Sequence, residues 1–176
     1  MRHHELKGIT LIQRILHGER DFRNTRLRNF DLSEDPDKFI ELHNYLWEQP
    51  FVREKNYLNF GNTEWTDVTL NLKGYTLDEY EASPSGIGLP LTHFKGDHGI
   101  FTKVNFSYCT IDYADFWKST LLACDFTAAK RNRDTRFNEA VLINVKGAED
   151  IYERREINKH QSIHPTNKVQ ENRPSL

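Results

Sequence analysis

Between Gly99 and Ala128 a large apolar residue stands at every fifth position without a miss: Phe101, Phe106, Ile111, Phe116, Leu121 and Phe126. Two residues before each of these centres comes a small or β-branched residue, in turn Gly99, Val104, Cys109, Ala114, Ser119 and Cys124. The remaining positions are mostly polar, among them Asn105, Ser107, Thr110, Asp112, Asp115, Lys118, Asp125 and Thr127. A helix repeats its apolar face every 3.6 residues and a half-buried strand every two, so neither produces a strict period of five. The chain must instead turn after each short segment, pointing one large and one small side chain inward per segment.

The same register returns in shorter runs. Phe22, Leu27 and Leu32 form one; Phe60, Trp65, Leu70 and Tyr75 form a second, with Thr63 and Val68 at two of the small positions. Phe137 and Leu142 follow Phe126 after an eleven-residue step. These fifteen centres in four runs read as one stack with insertions. Successive passes would pair backbone to backbone at the ordinary strand spacing of ~4.7–4.9 Å, placing like residues in ladders.

On these residues the chain resembles the pentapeptide-repeat family, whose unit is a small residue, a polar residue, Leu or Phe, and two variable residues. The resemblance implies an all-β fold, a right-handed quadrilateral β-helix, here of about four coils. Phe30, Leu58 and Lys73 depart from the pattern, standing where the family has a small residue. The expected organisation is a capping helix over residues 1–18, a repeat region over 19–150 with insertions near 35–57 and 76–98, and a polar tail over 151–176. Leu6, Ile9, Ile12, Ile15 and Leu16 lie near one helical face, and Gly18 suits the position that ends the helix. The stretch Ile15 to Phe22 resembles the leading segment of cyanobacterial members, which implies a bacterial protein. A second helix is expected over 36–48, with Asp35 as N-cap, Pro36 in the first turn and Pro50 beyond its end. The turn formers from Tyr80 to Pro90 predict a loop over 80–99.

Little in the sequence supports catalysis. Cys109 and Cys124 fall at the small inward position, where a thiol acts as a compact buried hydrophobe. His93 and His98 read as surface residues of the loop, and Asp21, Asp31, Asp115 and Asp125 as a solvated face. The chain holds no phosphate-binding glycine loop, no HExxH and no GxSxG. The expectation is a protein that is not an enzyme and uses no cofactor or metal. No apolar run approaches the ~18–20 residues of a membrane span, and the polar start Met1-Arg2-His3-His4-Glu5 leads into no secretory core. With two cysteines and no disulfide framework, a cytoplasmic location follows as an expectation.

What remains is recognition. The expected function is a protein-interaction module, a scaffold or accessory subunit, meeting a protein partner through the faces of the stack, the 35–50 insertion and the tail. Two alternatives rest on charge. Arg20, Arg23, Arg26 and Arg28 form one basic cluster, and Lys130, Arg131, Arg133 and Arg136 a second, so a polyanion such as nucleic acid could bind there. The resemblance also brings in DNA-mimicking proteins that bind topoisomerases, but 24 Lys+Arg against 26 Asp+Glu is far from the strongly negative surface that mimicry requires.

Overall fold

The computed structural model describes residues 3–48, 57–73 and 86–151. The chain begins with a short strand, β1 (His4–Leu6), and runs into a helix, α1 (Gly8–Leu16), that buries Leu11, Ile12 and Ile15. Gly18 ends the helix with φ of +90°, a conformation other residues adopt only under strain. The turn it makes lets the Gly18 and Glu19 amides donate to Ile15 and Arg14 carbonyls, both at 2.9 Å. Strand β2 (Thr25–Asp31) follows, then one 3-10 turn (Leu32–Glu34) and helix α2 (Pro36–Glu48). Asp35 caps α2: its Oδ1 accepts the Lys38 amide at 3.1 Å, while Phe39, Leu42 and His43 form the buried face.

The remaining strands are β3 (Glu64–Thr69), β4 (Asn71–Lys73), β5 (Gly86–Gly88), β6 (Ile100–Asn105), β7 (Thr120–Leu122) and β8 (Val141–Ile143). Six of them form one sheet in the order β1-β2-β3-β6-β7-β8 with every neighbouring pair parallel. β4 and β5 make a separate antiparallel pair.

This architecture corrects the fold class that the resemblance implies. The chain is not a closed, all-β quadrilateral β-helix; it is an α/β-like arrangement, a mostly parallel six-stranded sheet with two helices. The reason is local. Each five-residue segment spends much of its length turning, and only on the side of the six-stranded sheet do successive passes pair as parallel strands. Elsewhere successive passes meet through isolated parallel bridges, such as Lys95 to Asp115 to Arg136 and Pro90 to Thr110 to Lys130.

Register on the sheet is set by the large residues. Leu6, Leu27, Trp65, Phe101, Leu121 and Leu142 are consecutive partners across the six strands. Of the fifteen centres, Tyr75 lies outside the described residues; thirteen of the other fourteen are buried and Leu142 is partly so. A second column is aromatic. Phe22 stacks on Phe60 with centroids 5.0 Å apart, and Phe116 on Phe137 at 5.0 Å. Between them the column is filled by Phe94, 5.5 Å from Phe60 and 5.4 Å from Phe116.

Phe94 exposes a correction to the repeat count. Lys95 bridges Asn59 on one side and Asp115 on the other, so the centre that belongs beside Phe60 and Phe116 is Gly96. The large and small residues have exchanged places in this segment. A Cβ on Gly96 would come within 2.6 Å of Phe94 Cε1 and 2.9 Å of Phe101 Cζ, so glycine is what lets the ring occupy the column. Leu91, buried, is the centre before it. The period therefore extends upstream through Leu91, and the stretch read as an irregular loop over 80–99 is in its second half part of the stack.

Turn chemistry repeats with the same period. Fourteen non-glycine residues, from Asn24 to Asn144, have positive φ, and each stands two places after a centre. His93 and His98 are two of them, at φ of 58° and 57°. The residue just before a centre often ties down the turn: Asp31 accepts the Ser33 amide at 2.9 Å, Asp115 the Trp117 amide at 3.0 Å and Asp125 the Thr127 amide at 2.8 Å. Hydroxyls at the small position satisfy carbonyls that would otherwise be buried alone, as Thr25 to Phe22 at 2.7 Å, Thr63 to Phe60 at 2.8 Å and Ser119 to Phe116 at 2.8 Å.

Candidate interaction surface

Because the sheet centres point inward, the residues on either side of each centre point out. Along the sheet they form two rows. The row before the centres runs Glu5, Arg26, Glu64, Ile100, Thr120 and Val141; the row after them runs Arg28, Thr66, Thr102, Leu122 and Ile143. The face is thus divided. On β1, β2 and β3 it is charged, with Arg26 Nε donating to Glu64 Oε2 at 2.6 Å and His3 Nδ1 3.1 Å from Glu64 Oε1.

On β6, β7 and β8 it is apolar. Ile100 is 46% exposed, Leu122 37%, Val141 50% and Ile143 45%. These are four of the seven large hydrophobic side chains exposed among the described residues, and they converge on three adjacent strands. Scattered exposed hydrophobics are ordinary; a set gathered on neighbouring strands makes this face the candidate contact surface. The sequence carried a signal for it in the uninterrupted runs Leu121-Leu122 and Val141-Leu142-Ile143, where a polar residue is expected beside the centre.

The basic clusters are arranged differently from a free cationic patch. Arg23 grips Asp21 through Nε to Oδ1 at 2.9 Å and Nη2 to Oδ2 at 2.6 Å, holding that carboxyl below the usual range. Arg26 is held by Glu64. Arg20 donates to the Ile15 and Glu19 carbonyls and the Tyr45 hydroxyl, all at 2.9 Å, and lies 5.3 Å from the Tyr45 ring centre. In the second cluster Arg131 stands five residues after Phe126, beneath Ile111 in the stack, with its side chain only 15% exposed. There it donates to the Gly147 carbonyl at 2.9 Å and pairs with Asp150, closing the end of the column. Arg136 contacts Asp115 at 3.3 Å. Arg28, Lys130 and Arg133 are exposed, Arg28 on β2 and the other two on the pass that follows Phe126.

Neither cysteine presents a reactive thiol. Both are buried, and Cys124 Sγ–H points at the Phe101 carbonyl at 3.2 Å, Cys109 Sγ–H at the Leu70 carbonyl at 3.5 Å. Burial pushes the Cys109 thiol up to about 12 and the Cys124 thiol up to about 11. His93 stacks on Tyr113 at 4.8 Å, and His98 packs edge-on against Trp117 at 4.9 Å with Asp97 Oδ2 3.2 Å from its Nδ1. Among the described residues no three His, Cys, Asp or Glu side chains are grouped to hold a metal ion, and no helix is long and apolar enough to cross a membrane. The polar tail over 152–176 and the end of the 35–50 insertion lie outside the described residues. Helix α2 carries a further exposed aromatic, Trp47, at 69%.

No protein-family model matches the chain, and no curated protein matches it. Among solved structures the chain is similar to a pentapeptide repeat protein from the cyanobacterium Cyanothece, with 12% identity and a TM-score of 0.36 over 79% of this chain and 95% of that one.

Proposed function

We propose that this chain is a non-catalytic protein-interaction module, an adaptor or accessory subunit of a cytoplasmic assembly, whose main contact surface is the outer face of β6, β7 and β8. One observation carries the reading: Ile100, Leu122, Val141 and Ile143 share that face on neighbouring strands and are left in water. Parallel strands fixed by buried centres make a rigid platform, so these side chains are presented with little ordering cost when a partner covers them. Kinship with the pentapeptide-repeat family and its bacterial members belongs to the same proposal and is supported by the unbroken register from Leu91 to Phe126.

Polyanion binding is the weaker reading, because Arg20, Arg23, Arg26, Arg131 and Arg136 are engaged with carboxylates, carbonyls or a tyrosine of their own chain. The two readings separate in one comparison. Tagged protein recovered from its native cell should bring down a stoichiometric protein, and Val141→Asp with Ile143→Asp should lose it while Arg28→Glu with Arg133→Glu keeps it. Loss on the arginine variant alone, together with a steep salt dependence, would replace the proposal by the polyanion reading.

A further inference from the structure

At the end of the sheet away from the apolar face, the edge is held by a side chain that steps over its neighbour. β1 pairs only with β2, through three residues, of which Leu6 alone is buried. His3, just before it, passes β2 and reaches the next pass of the chain. Its Nε2 lies 3.0 Å from the Asn62 carbonyl oxygen and its Nδ1 3.1 Å from Glu64 Oε1. We propose that this clasp is a protonation-dependent lock, holding β1 on the edge of β2 while the imidazole carries both protons and loosening it when one is lost.

Donors and acceptors decide it. A backbone carbonyl only accepts, so Nε2 must donate to Asn62. Glu64 Oε2 already takes Arg26 Nε and Nη2, both at 2.6 Å. A carboxylate held in place by that arginine turns its other oxygen to the ring as an acceptor, and Nδ1 must donate as well. A neutral imidazole has one N–H, so either tautomer sets a ring lone pair against an oxygen at 3.0 or 3.1 Å. Only the imidazolium satisfies both acceptors. The side chain is 14% exposed, which leaves little room for water to replace a lost bond.

Among the described residues Glu64 is the only charged group within ion-pair distance of the ring. Arg26 of β2 is held by the same carboxylate, and His4 and Glu5 of β1 are exposed. Arg14 of α1 is turned to Glu19 and the Phe22 ring, and Asp97 and His98 beyond Asn62 pair with each other at 3.2 Å. The sign follows: both bonds are present in acid, and one is lost as pH rises and the ring gives up a proton. With β1 released, the sheet ends on the seven-residue strand β2, of which β1 covers Thr25, Arg26 and Leu27. A long bare edge is a template for an added strand, so the lock governs whether this end of the sheet is open to pairing.

Amide hydrogen exchange on the full chain, read by NMR as protection factors, tests it. The His4 amide, which donates to the Asn24 carbonyl at 3.0 Å, reports on β1; those of Phe106 and Asp125, inside the stack, report on global opening. Between ~pH 5 and ~pH 8, either side of the range in which imidazoles titrate, the His4 protection factor should fall about tenfold, the effect of one charge-assisted hydrogen bond, while those of Phe106 and Asp125 do not fall. His3→Gln should abolish the fall, because the amide has no proton to lose in this range. Glu64→Gln should abolish it too, because its amide can donate to a neutral ring. Circular dichroism checks that both variants are folded. A wild-type His4 protection factor that does not change with pH, a fall shared by Phe106 and Asp125, or a fall that persists in His3→Gln would overturn the lock.

Discussion

At the scale of single residues, the exchange at Phe94 and Gly96 is the sharpest test of how the core is filled. Gly96→Ala brings a methyl group against Phe94 and Phe101 and should destabilise by about 1–3 kcal/mol. Phe94→Ala empties the column and should cost about 3–5 kcal/mol, and adding Gly96→Phe should recover part of it by returning the large residue to the centre. Chemical denaturation of the three variants checks this; a neutral Gly96→Ala would contradict the packing. Gly8 plays a related part, since a Cβ there would run into the Phe30 ring. The aromatic that breaks the repeat pattern at Phe30 is thus admitted by a glycine on the first turn of α1. The cysteines add a pH test. Their thiols, near 9.0 in an unfolded chain, are raised to about 12 and about 11 in the fold, so the folded state keeps protons that the unfolded state gives up. Their contribution to stability is complete below pH 9 and falls as pH rises toward 11–12. Iodoacetamide at pH 8 should leave both unlabelled until denaturant is added.

At the scale of elements, the helices follow ordinary local rules. Asp35→Ala removes the cap of α2 and should cost about 1 kcal/mol, read as a lower melting point. His43 lies on the buried side of the same helix, stacked 5.9 Å from Phe39 and 6.1 Å from Trp47, and burial lowers its pKa from 6.5. The fold holds the ring neutral while the unfolded chain takes up a proton below pH 6.5, so stability contributed here is present above that pH and lost on acidification. His43→Phe should flatten the acid side of the stability profile. Helix α2 and the inward centres could be read from sequence because they rest on spacing, capping and side-chain size; the first helix, expected over 1–18, spans only Gly8–Leu16, with Leu6 in β1 and Ile9 exposed. What could not be read was how far each extended stretch would reach. Strand length depends on where the backbone turns, and those turns sit at residues as unlike as Asn24, Lys103, Ala123 and Glu139. For the same reason Leu91 and Gly96 escaped: with the large residue two places early, the register vanished from the sequence although the backbone keeps it.

At the scale of the whole molecule, a parallel sheet with charge on one half and bare apolar side chains on the other is a surface with a direction. The apolar half of the face was legible only in part. Each of its residues borders a centre and looks like an imperfection in the repeat until the strands bring them together. The proposed function requires that this half of the face, and neither the arginine clusters nor the helices, meets the partner. The direct measurement is a methyl NMR spectrum of Ile, Leu and Val-labelled protein, titrated with the protein it captures from its native cell. The methyl signals of Ile100, Leu122, Val141 and Ile143 should shift or broaden first, while those of Ile12 and Leu27 in the core stay in place. Perturbation centred on Ile9 and Ile40 of the helices, with the four sheet residues unmoved, would contradict it.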